Sequence, residues 1–147
     1  MTDAVADQAL TPPFDTKIAV VLSEGLQAWQ ELNVTAFLAA GIAAANPQLI
    51  GQAYTDADEA NYLPLLGMPV LVFQADTDTL QAARQRALRR EVPLAVYTRE
   101  MFATGFDSAN RAVVAEVAGE DLDLVGIALH GPKNAVDKIV KGSRLHP

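Results

Sequence analysis

The sequence contains no cysteine, so neither a disulfide framework nor a thiolate metal site can form. Long apolar runs are lacking too: the longest, residues 34–45, is shorter than the ~20 residues of a membrane-spanning helix. The first ten residues are acidic and lack the basic start and apolar stretch of a signal peptide. These absences predict a soluble, cytoplasmic protein that does not enter a membrane.

Basic residues are scarce in the first half of the chain. Residues 1–80 hold ten acids and one base, Lys17, whereas residues 81–147 hold ten bases and eight acids. The net charge of −7 disfavours tRNA and other nucleic acids as partners, although a local basic patch can overcome this repulsion. Arg86, Arg89 and Arg90 lie opposite the apolar stripe of a predicted helix, which is typical of a solvated face; contact with RNA is the alternative.

Short apolar segments alternate with helical patterns along the chain. Strands are predicted at residues 17–22, 70–73, 93–97 and 122–129, and helices at residues 30–45, 78–90, 108–117 and 134–141. This alternation predicts an α/β fold with a largely parallel sheet. Residues 1–15 have no periodicity and are expected to form a mobile tail, which leaves residues 16–147 as a single domain.

Individual residues mark the helix ends and faces. Asp76 or Thr77 is predicted to cap the second helix, and Ser108 the third. Leu80, Ala83, Ala87 and Leu88 are predicted to form the inner stripe of the second helix. Residues 46–69 form a long irregular connection, and loops of this length are often functional or form interfaces.

Polar residues follow three of the predicted strands. In open α/β sheets, ligands gather at the carboxyl ends of the strands. This rule selects Ser23 and Glu24 after the first strand, Asp76 and Thr77 after the second, and residues 98–100 after the third. The sequence therefore predicts a polar cleft at this edge of the sheet.

Two stretches, residues 67–100 and 124–142, resemble the strand–helix–strand unit and the closing strand, Gly-Pro turn and helix of type 2 peptidyl-tRNA hydrolases. More closely, the chain from Lys17 onward resembles a bacterial family known as domain of unknown function 2000. Its recurring pieces correspond to residues 29–37, 101–107 and 137–142.

The resemblance implies a three-layer α/β/α fold on a four-stranded mixed sheet, like that of type 2 peptidyl-tRNA hydrolases, with the last strand antiparallel. It also implies a homodimer. The hydrolases carry a catalytic lysine in a segment that corresponds to residues 27–33, where this sequence has none. Their Asp-x-x-x-Thr pattern falls on Glu100 and Thr104, which makes these two residues the catalytic candidates.

We expect a cleft lined by Ser23, Glu24, Gln30, Asn33, Glu100 and Thr104, with Asp107 as a further ligand-binding candidate. The leading hypothesis is a binding or regulatory module that holds a small polar ligand or a polypeptide end, because the cluster lacks an obvious nucleophile–base pair. One alternative is an ester hydrolase, acting for example on peptidyl-tRNA, in which Glu100 is the general base or an electrostatic anchor. Another is a structural protein that interacts through residues 46–69.

Each candidate residue also has a purely structural interpretation. Glu100, Thr104, Asn33 and Asp107 are residue types that cap helices and turns, and Ser23 and Glu24 are equally consistent with a simple turn. Trp29 is expected either in a pocket or in packing, including a dimer seam. No metal site and no cofactor are predicted: the acidic run at residues 56–59 lacks the pattern of a calcium loop, and His130 and His146 are interpreted as a turn and a tail residue.

Overall fold

The computed structural model describes residues 10–147, which form seven strands, four α-helices and three short 3₁₀ turns. The strands are β1 (Thr16–Ser23), β2 (Tyr54–Thr55), β3 (Asn61–Tyr62), β4 (Val70–Ala75), β5 (Leu94–Thr98), β6 (Leu124–Pro132) and β7 (Arg144–Leu145). The α-helices are α1 (Ala28–Ala45), α2 (Thr77–Arg89), α3 (Asp107–Ala115) and α4 (Lys133–Ile139), and the 3₁₀ turns are Pro47–Leu49, Arg99–Ala103 and Gly119–Asp121.

Five strands form one mixed sheet in the order β5-β6-β1-β4-β7. Strand β1 pairs in parallel with β4 and antiparallel with β6, and β6 pairs antiparallel with β5. Since β1 and β5 both oppose β6, the strands β1, β4 and β5 all run in the same direction. Their carboxyl ends therefore meet at one edge of the sheet, as the sequence predicted.

The helices cover both faces of the sheet because alternate residues of a strand point to opposite sides. Ile18, Val20 and Leu22 of β1 pack in a core with Val34, Leu38 and Ile42 of α1. Ala19 and Val21 face the other way, into a core that contains Leu80, Ala83 and Ala87 of α2 together with residues of α4. Strand β6 contributes to both cores, which explains its continuous apolar sequence.

The predicted four-stranded sheet is corrected to five strands, and the predicted largely parallel pairing to a mixed one in which one of the four strand pairs, β1 with β4, is parallel. The antiparallel β6 is as expected, but β7 adds to the sheet by pairing Leu145 with Phe73 and Arg144 with Gln74. A strand of two residues is too short to show any periodicity in the sequence, so only its tertiary pairing reveals it. The connection at residues 46–69 also contains the β2–β3 hairpin, and an isolated bridge between Ile50 and Leu66 closes it.

The predicted features of the helices are correct in part. Asp76 caps α2, and its side chain accepts a hydrogen bond from the Thr79 amide at 2.8 Å. Leu88, however, is 52% exposed, because its position on the helix points it away from the stripe of Leu80 and Ala87. Ser108 does not cap α3, which starts at Asp107 and has Phe106 at its cap position without a side-chain bond.

The predicted tail begins outside the described residues, since residues 1–9 are not among them. The part that is described contacts the core: Leu10 and Phe14 pack against the α1 side of the sheet. Within residues 10–147, no helix combines the length and apolar character that crossing a bilayer requires.

Candidate functional site

Four aromatic rings form a chain of contacts between α1, β5 and the Arg99–Ala103 turn. Trp29 and Phe102 meet edge to face with ring centres 5.7 Å apart, and Phe102 contacts Tyr97 at 5.2 Å. Phe37 contacts Tyr97 at 5.8 Å, again nearly perpendicular. Such pairs each contribute ~0.5–1.5 kcal/mol beyond the burial of their area. The contacts hold the rings in fixed positions, so the surface they present is preformed.

Two of these four rings, and the neighbouring Phe106, remain open to solvent. Trp29 is 55% exposed, Phe37 56% and the neighbouring Phe106 66%. Removing apolar surface from water contributes ~25 cal/mol per Å² to binding. A contiguous group of exposed aromatic side chains is therefore a candidate binding surface. Tyr97, by contrast, is buried at the centre of the cluster.

The rings line a groove made of two adjacent hollows. The larger, ≈ 480 Å³, lies between α1, β5 and α3 and is lined mainly by apolar side chains. The smaller, ≈ 290 Å³, lies beside Trp29 and contains more polar atoms. Both hollows share a common set of lining residues: Phe37, Tyr97, Met101, Asp107 and Asn110. We call the two together the aromatic groove.

Polar side chains occupy defined positions in the aromatic groove. The Asn33 amide donates to the Tyr97 phenol oxygen at 3.3 Å, and the Thr104 hydroxyl donates to the Met101 carbonyl oxygen at 2.9 Å. Thr104 also hydrogen-bonds the side chain of Asn110. Burial raises the pKa of Tyr97, and the bond from Asn33 offsets part of that effect. The phenol is therefore protonated at neutral pH, and these groups are neutral hydrogen-bonding anchors.

One ion pair lies at the rim of the groove. Asp107 in the first turn of α3 pairs with Arg111 one turn later, and both side chains are largely exposed. An exposed pair at this spacing contributes only ~0.3–0.5 kcal/mol to stability. The two charges are therefore easily separated and available to a ligand.

The structure brings together three of the predicted site residues. Asn33, Thr104 and Asp107 all line the smaller hollow. Glu100 lies on the exposed face of the Arg99–Ala103 turn, outside the lining of both hollows, and its side chain has no hydrogen bond or ion pair within residues 10–147. Glu100 and Thr104, which the sequence analysis placed in one cleft, therefore do not line the same hollow.

Gln30 has a structural role at the start of α1. Its side-chain oxygen accepts a hydrogen bond from the Gln27 backbone at 2.9 Å, which completes a capping box. Gln27 in turn accepts a bond from the Trp29 indole nitrogen at 2.8 Å. The capping residues thus hold Trp29 at the mouth of the groove.

Ser23 and Glu24 lie at the same edge of the sheet but line neither hollow. Ser23 is buried, and its hydroxyl donates to the carbonyl oxygen of Glu24 at 3.3 Å. The Glu24 carboxylate pairs with Arg144 of β7, which also contacts Gln74. Glu24 and Gln74 therefore hold β7 against the sheet through Arg144, whereas the hydroxyl of Ser23 bonds within the turn.

His146 also helps to hold the C-terminal segment against the sheet, so it is not the tail residue that the sequence analysis predicted. Its ring bonds to the Glu31 carboxylate of α1, and its backbone amide donates to the Val72 carbonyl oxygen at 2.9 Å. The Pro147 carbonyl and then the bond to Glu31 raise the pKa of His146. The other histidine, His130, lies in β6 rather than in the predicted turn. Its ring contacts the Thr16 hydroxyl at 2.9 Å, and burial lowers its pKa.

The sequence interpretation missed most of the aromatic residues. Trp29 was assigned to a pocket or to packing, but Phe37, Phe102 and Phe106 were not considered as site residues. The available signal was the combination of residues 29–37 and 101–107, two of the pieces that carry the family resemblance. Within residues 10–147, no group of three or more His, Asp or Glu side chains is placed to hold a metal ion.

Comparison with known proteins places the chain in a family. A solved structure of the Agrobacterium tumefaciens protein Atu0240, described as a protein of unknown function, matches with 45% identity and a TM-score of 0.89. That match covers 91% of this chain and 99% of the other. No curated protein matches. The family model described as protein of unknown function DUF2000 matches residues 16–147, and the chain belongs to that family.

Proposed function

We propose that this protein is a binding module whose recognition site is the aromatic groove. The observation that carries the proposal is the exposure of Trp29, Phe37 and Phe106 around the fixed polar groups of Asn33 and Thr104. Ligand sites are typically concave and mostly apolar, with a few polar groups that orient the ligand. The part of the ligand that enters the groove is expected to consist of apolar groups next to neutral hydrogen-bonding functions such as amides, and is therefore less polar than the sequence suggested.

The test uses Trp29, the only tryptophan of the chain, as a built-in reporter. A library of metabolites and peptides is screened for changes in Trp29 emission and for a rise in melting temperature. We expect hits that do both, with affinity reduced about tenfold by Phe37→Ala because a large apolar contact is lost. Leu88→Ala is the matched control, since Leu88 is equally exposed on a helix outside the groove.

The opposite outcome is equally clear. Hits that stabilise the fold but bind Phe37→Ala and Leu88→Ala with equal affinity place recognition elsewhere and contradict the proposal. A library without a single hit in either readout also counts against it.

A second function, ester hydrolysis, is favoured by one observation. The Glu100 carboxylate is exposed and, within residues 10–147, makes no hydrogen bond or ion pair, so it is available as a general base. This proposal predicts turnover of a model aminoacyl ester that is lost in Glu100→Gln and reduced in Thr104→Ala. Turnover that is unchanged in Glu100→Gln excludes it.

We also propose a layer arrangement for the fold, a homodimer and an interaction surface. Helices on both faces of the sheet and the antiparallel β6 support a three-layer α/β/α arrangement allied to type 2 peptidyl-tRNA hydrolases. The homodimer is a prediction from the resemblance. Interaction through residues 46–69 is supported by exposed Tyr54, Tyr62 and Leu63 on and beside the β2–β3 hairpin; deleting that hairpin without loss of function would argue against it.

A further inference from the structure

Strand β5 lies at one edge of the sheet, and among the described residues 10–147 no strand pairs with its outer side. It pairs only with β6, and within residues 10–147 the backbone of residues 94–98 makes no other hydrogen bond. Alternate N–H and C=O groups of an edge strand point away from its neighbour and are ready to pair with a further strand. The outward groups of β5 therefore form a template for an extended chain.

The aromatic groove runs along this open edge. Three successive residues, Ala95, Val96 and Tyr97, line the larger hollow. Ala95 and Tyr97 pack on the α1 side of the sheet, whereas Val96 packs on the other side. A hollow above one face of a strand contacts only alternate residues. Because the larger hollow contacts three successive residues, it must lie beside β5, next to the strand's backbone, rather than above one of its faces.

Two helices form the walls of the hollow. Phe37 and Leu38 of α1 line one side, and Val114 and Ala115 of α3 line the other. An extended chain beside β5 places successive side chains alternately against these two apolar walls. A second copy of the whole protein fits less well, because its own α1 and α3 flank its β5 and meet the same walls.

Charge around the groove favours a basic occupant. Helix α1 contains no lysine or arginine. In α3 and the neighbouring Arg99–Ala103 turn there are two bases, Arg111 and Arg99, which pair with Asp107 and Asp123 respectively. Glu100 and Glu116 add two further acids, so the acids outnumber the bases in this region. The protein as a whole carries a net charge of −7. A positively charged chain is therefore attracted to the groove, which speeds its association, and the charge pairs help to fix its register along β5.

We infer that the aromatic groove binds an extended polypeptide of net positive charge, which adds to the sheet as a sixth strand beside β5. Backbone hydrogen bonds to residues 94–98 supply affinity, and apolar side chains at alternate positions against α1 and α3 supply selectivity. The inference rests on the proposed function, since it names the ligand class of the same groove.

The experiment selects phage-displayed random peptides of about eight residues on the full chain, and the selected sequences are then synthesised. We expect net positive peptides with alternating apolar residues, whose binding slows amide exchange at the outward residues of β5 about tenfold or more. In a strand paired with β5, the backbone N–H groups of every second peptide residue point toward β5. Methylating these nitrogens is expected to weaken binding about tenfold, because it removes hydrogen bonds to β5. Methylating the nitrogens of the other residues is expected to have little effect.

Several results would overturn the inference while sparing the proposed function. These are equal effects of the two methylated sets, bound peptides that leave β5 exchange unchanged, or a library that selects nothing while small molecules still bind in a Phe37-dependent manner. Concentration-dependent protection of β5 without peptide would assign the edge to a second copy instead. If selected peptides bind Phe37→Ala and Leu88→Ala equally and leave β5 unprotected, the proposed function fails as well.

Discussion

The side-chain amide of Asn33 in α1 donates a hydrogen bond to the phenol oxygen of Tyr97 in β5, across 3.3 Å. This bond joins the helix that carries Trp29 and Phe37 to the strand at the edge of the sheet. It also lies in the smaller hollow of the aromatic groove, whose lining includes both residues. The bond therefore links the geometry of the site to the stability of the fold.

A double-mutant cycle on Asn33 and Tyr97 tests this link. We expect Asn33→Ala and Tyr97→Phe each to lower the free energy of unfolding, with a coupling of ~0.5–1.5 kcal/mol, because either change removes the same hydrogen bond. Urea unfolding of the two single variants and the double variant measures it. Strictly additive effects would show that the two side chains do not stabilise each other.

Close packing of α1 on β6 depends on Gly126. A Cβ atom there would lie 2.6 Å from Cγ1 of Val34 and 3.1 Å from Cδ1 of Leu38. We expect Gly126→Ala to destabilise the protein by ~1–3 kcal/mol, because the side chains of α1 must shift. The matched control is Gly105→Ala, where nothing lies within 4 Å of the added Cβ atom. Equal unfolding midpoints for the two variants would contradict this packing.

The hydroxyl of Thr98 is buried at the end of β5 and lacks a hydrogen-bond partner within residues 10–147. We expect Thr98→Val to raise the free energy of unfolding by ~1 kcal/mol, since it replaces an unsatisfied polar atom with a methyl group of similar shape. Thr104→Val is expected to lower it by a similar ~1 kcal/mol, because the Thr104 hydroxyl is hydrogen-bonded. Thermal or urea unfolding compares the two, and the same sign for both would refute the assignment.

The two histidines are expected to titrate on opposite sides of the ordinary value of ~6.5. The Pro147 carbonyl and Glu31 raise the pKa of His146, whereas burial lowers that of His130. Because the raised pKa belongs to the folded state, His146 contributes its full stabilisation below ~6.5 and loses it as pH rises through the folded pKa. Two-dimensional NMR of the imidazole resonances measures both values directly.

The corresponding stability test uses His146→Gln. We expect the variant to be less stable than the wild type in mild acid, with the difference shrinking as pH rises past the measured pKa of His146. His130 has the opposite sign in both proteins, because a lowered folded pKa removes stability as pH falls, and it therefore cancels in the comparison. A difference that is independent of pH would show that the bond to Glu31 does not couple protonation to folding.

Much of the fold followed from local sequence patterns. The apolar runs before Ser23 and after Pro69 identified β1 and β4, and Asp76 identified the start of α2 from its side-chain chemistry. Strand β7 was out of reach, because Arg144 and Leu145 gain their strand geometry only from pairing with Gln74 and Phe73. Leu88 was misplaced because apolar spacing alone does not show which side of a helix meets the sheet.

The candidate site was predicted only in outline. Asn33, Thr104 and Asp107 line the groove. The rule that ligands gather at the carboxyl ends of strands selected Ser23, Glu24 and Glu100, which lie outside its lining. The groove itself depends on Phe37 and Phe106, which are remote in sequence and whose exposure is set by how α1 and α3 lie beside β5. Glu100 was singled out from a motif, yet the turn that carries it directs the residue to solvent rather than into the groove.

The most direct test of the aromatic groove as the recognition site is residue-resolved amide hydrogen exchange, with and without a ligand found by the Trp29 screen. We expect slower exchange in the three segments that border the groove: residues 29–37, 95–97 and 102–110. Protection confined to Glu24 and Arg144, or to the β2–β3 hairpin, with no change in those three segments, would contradict it.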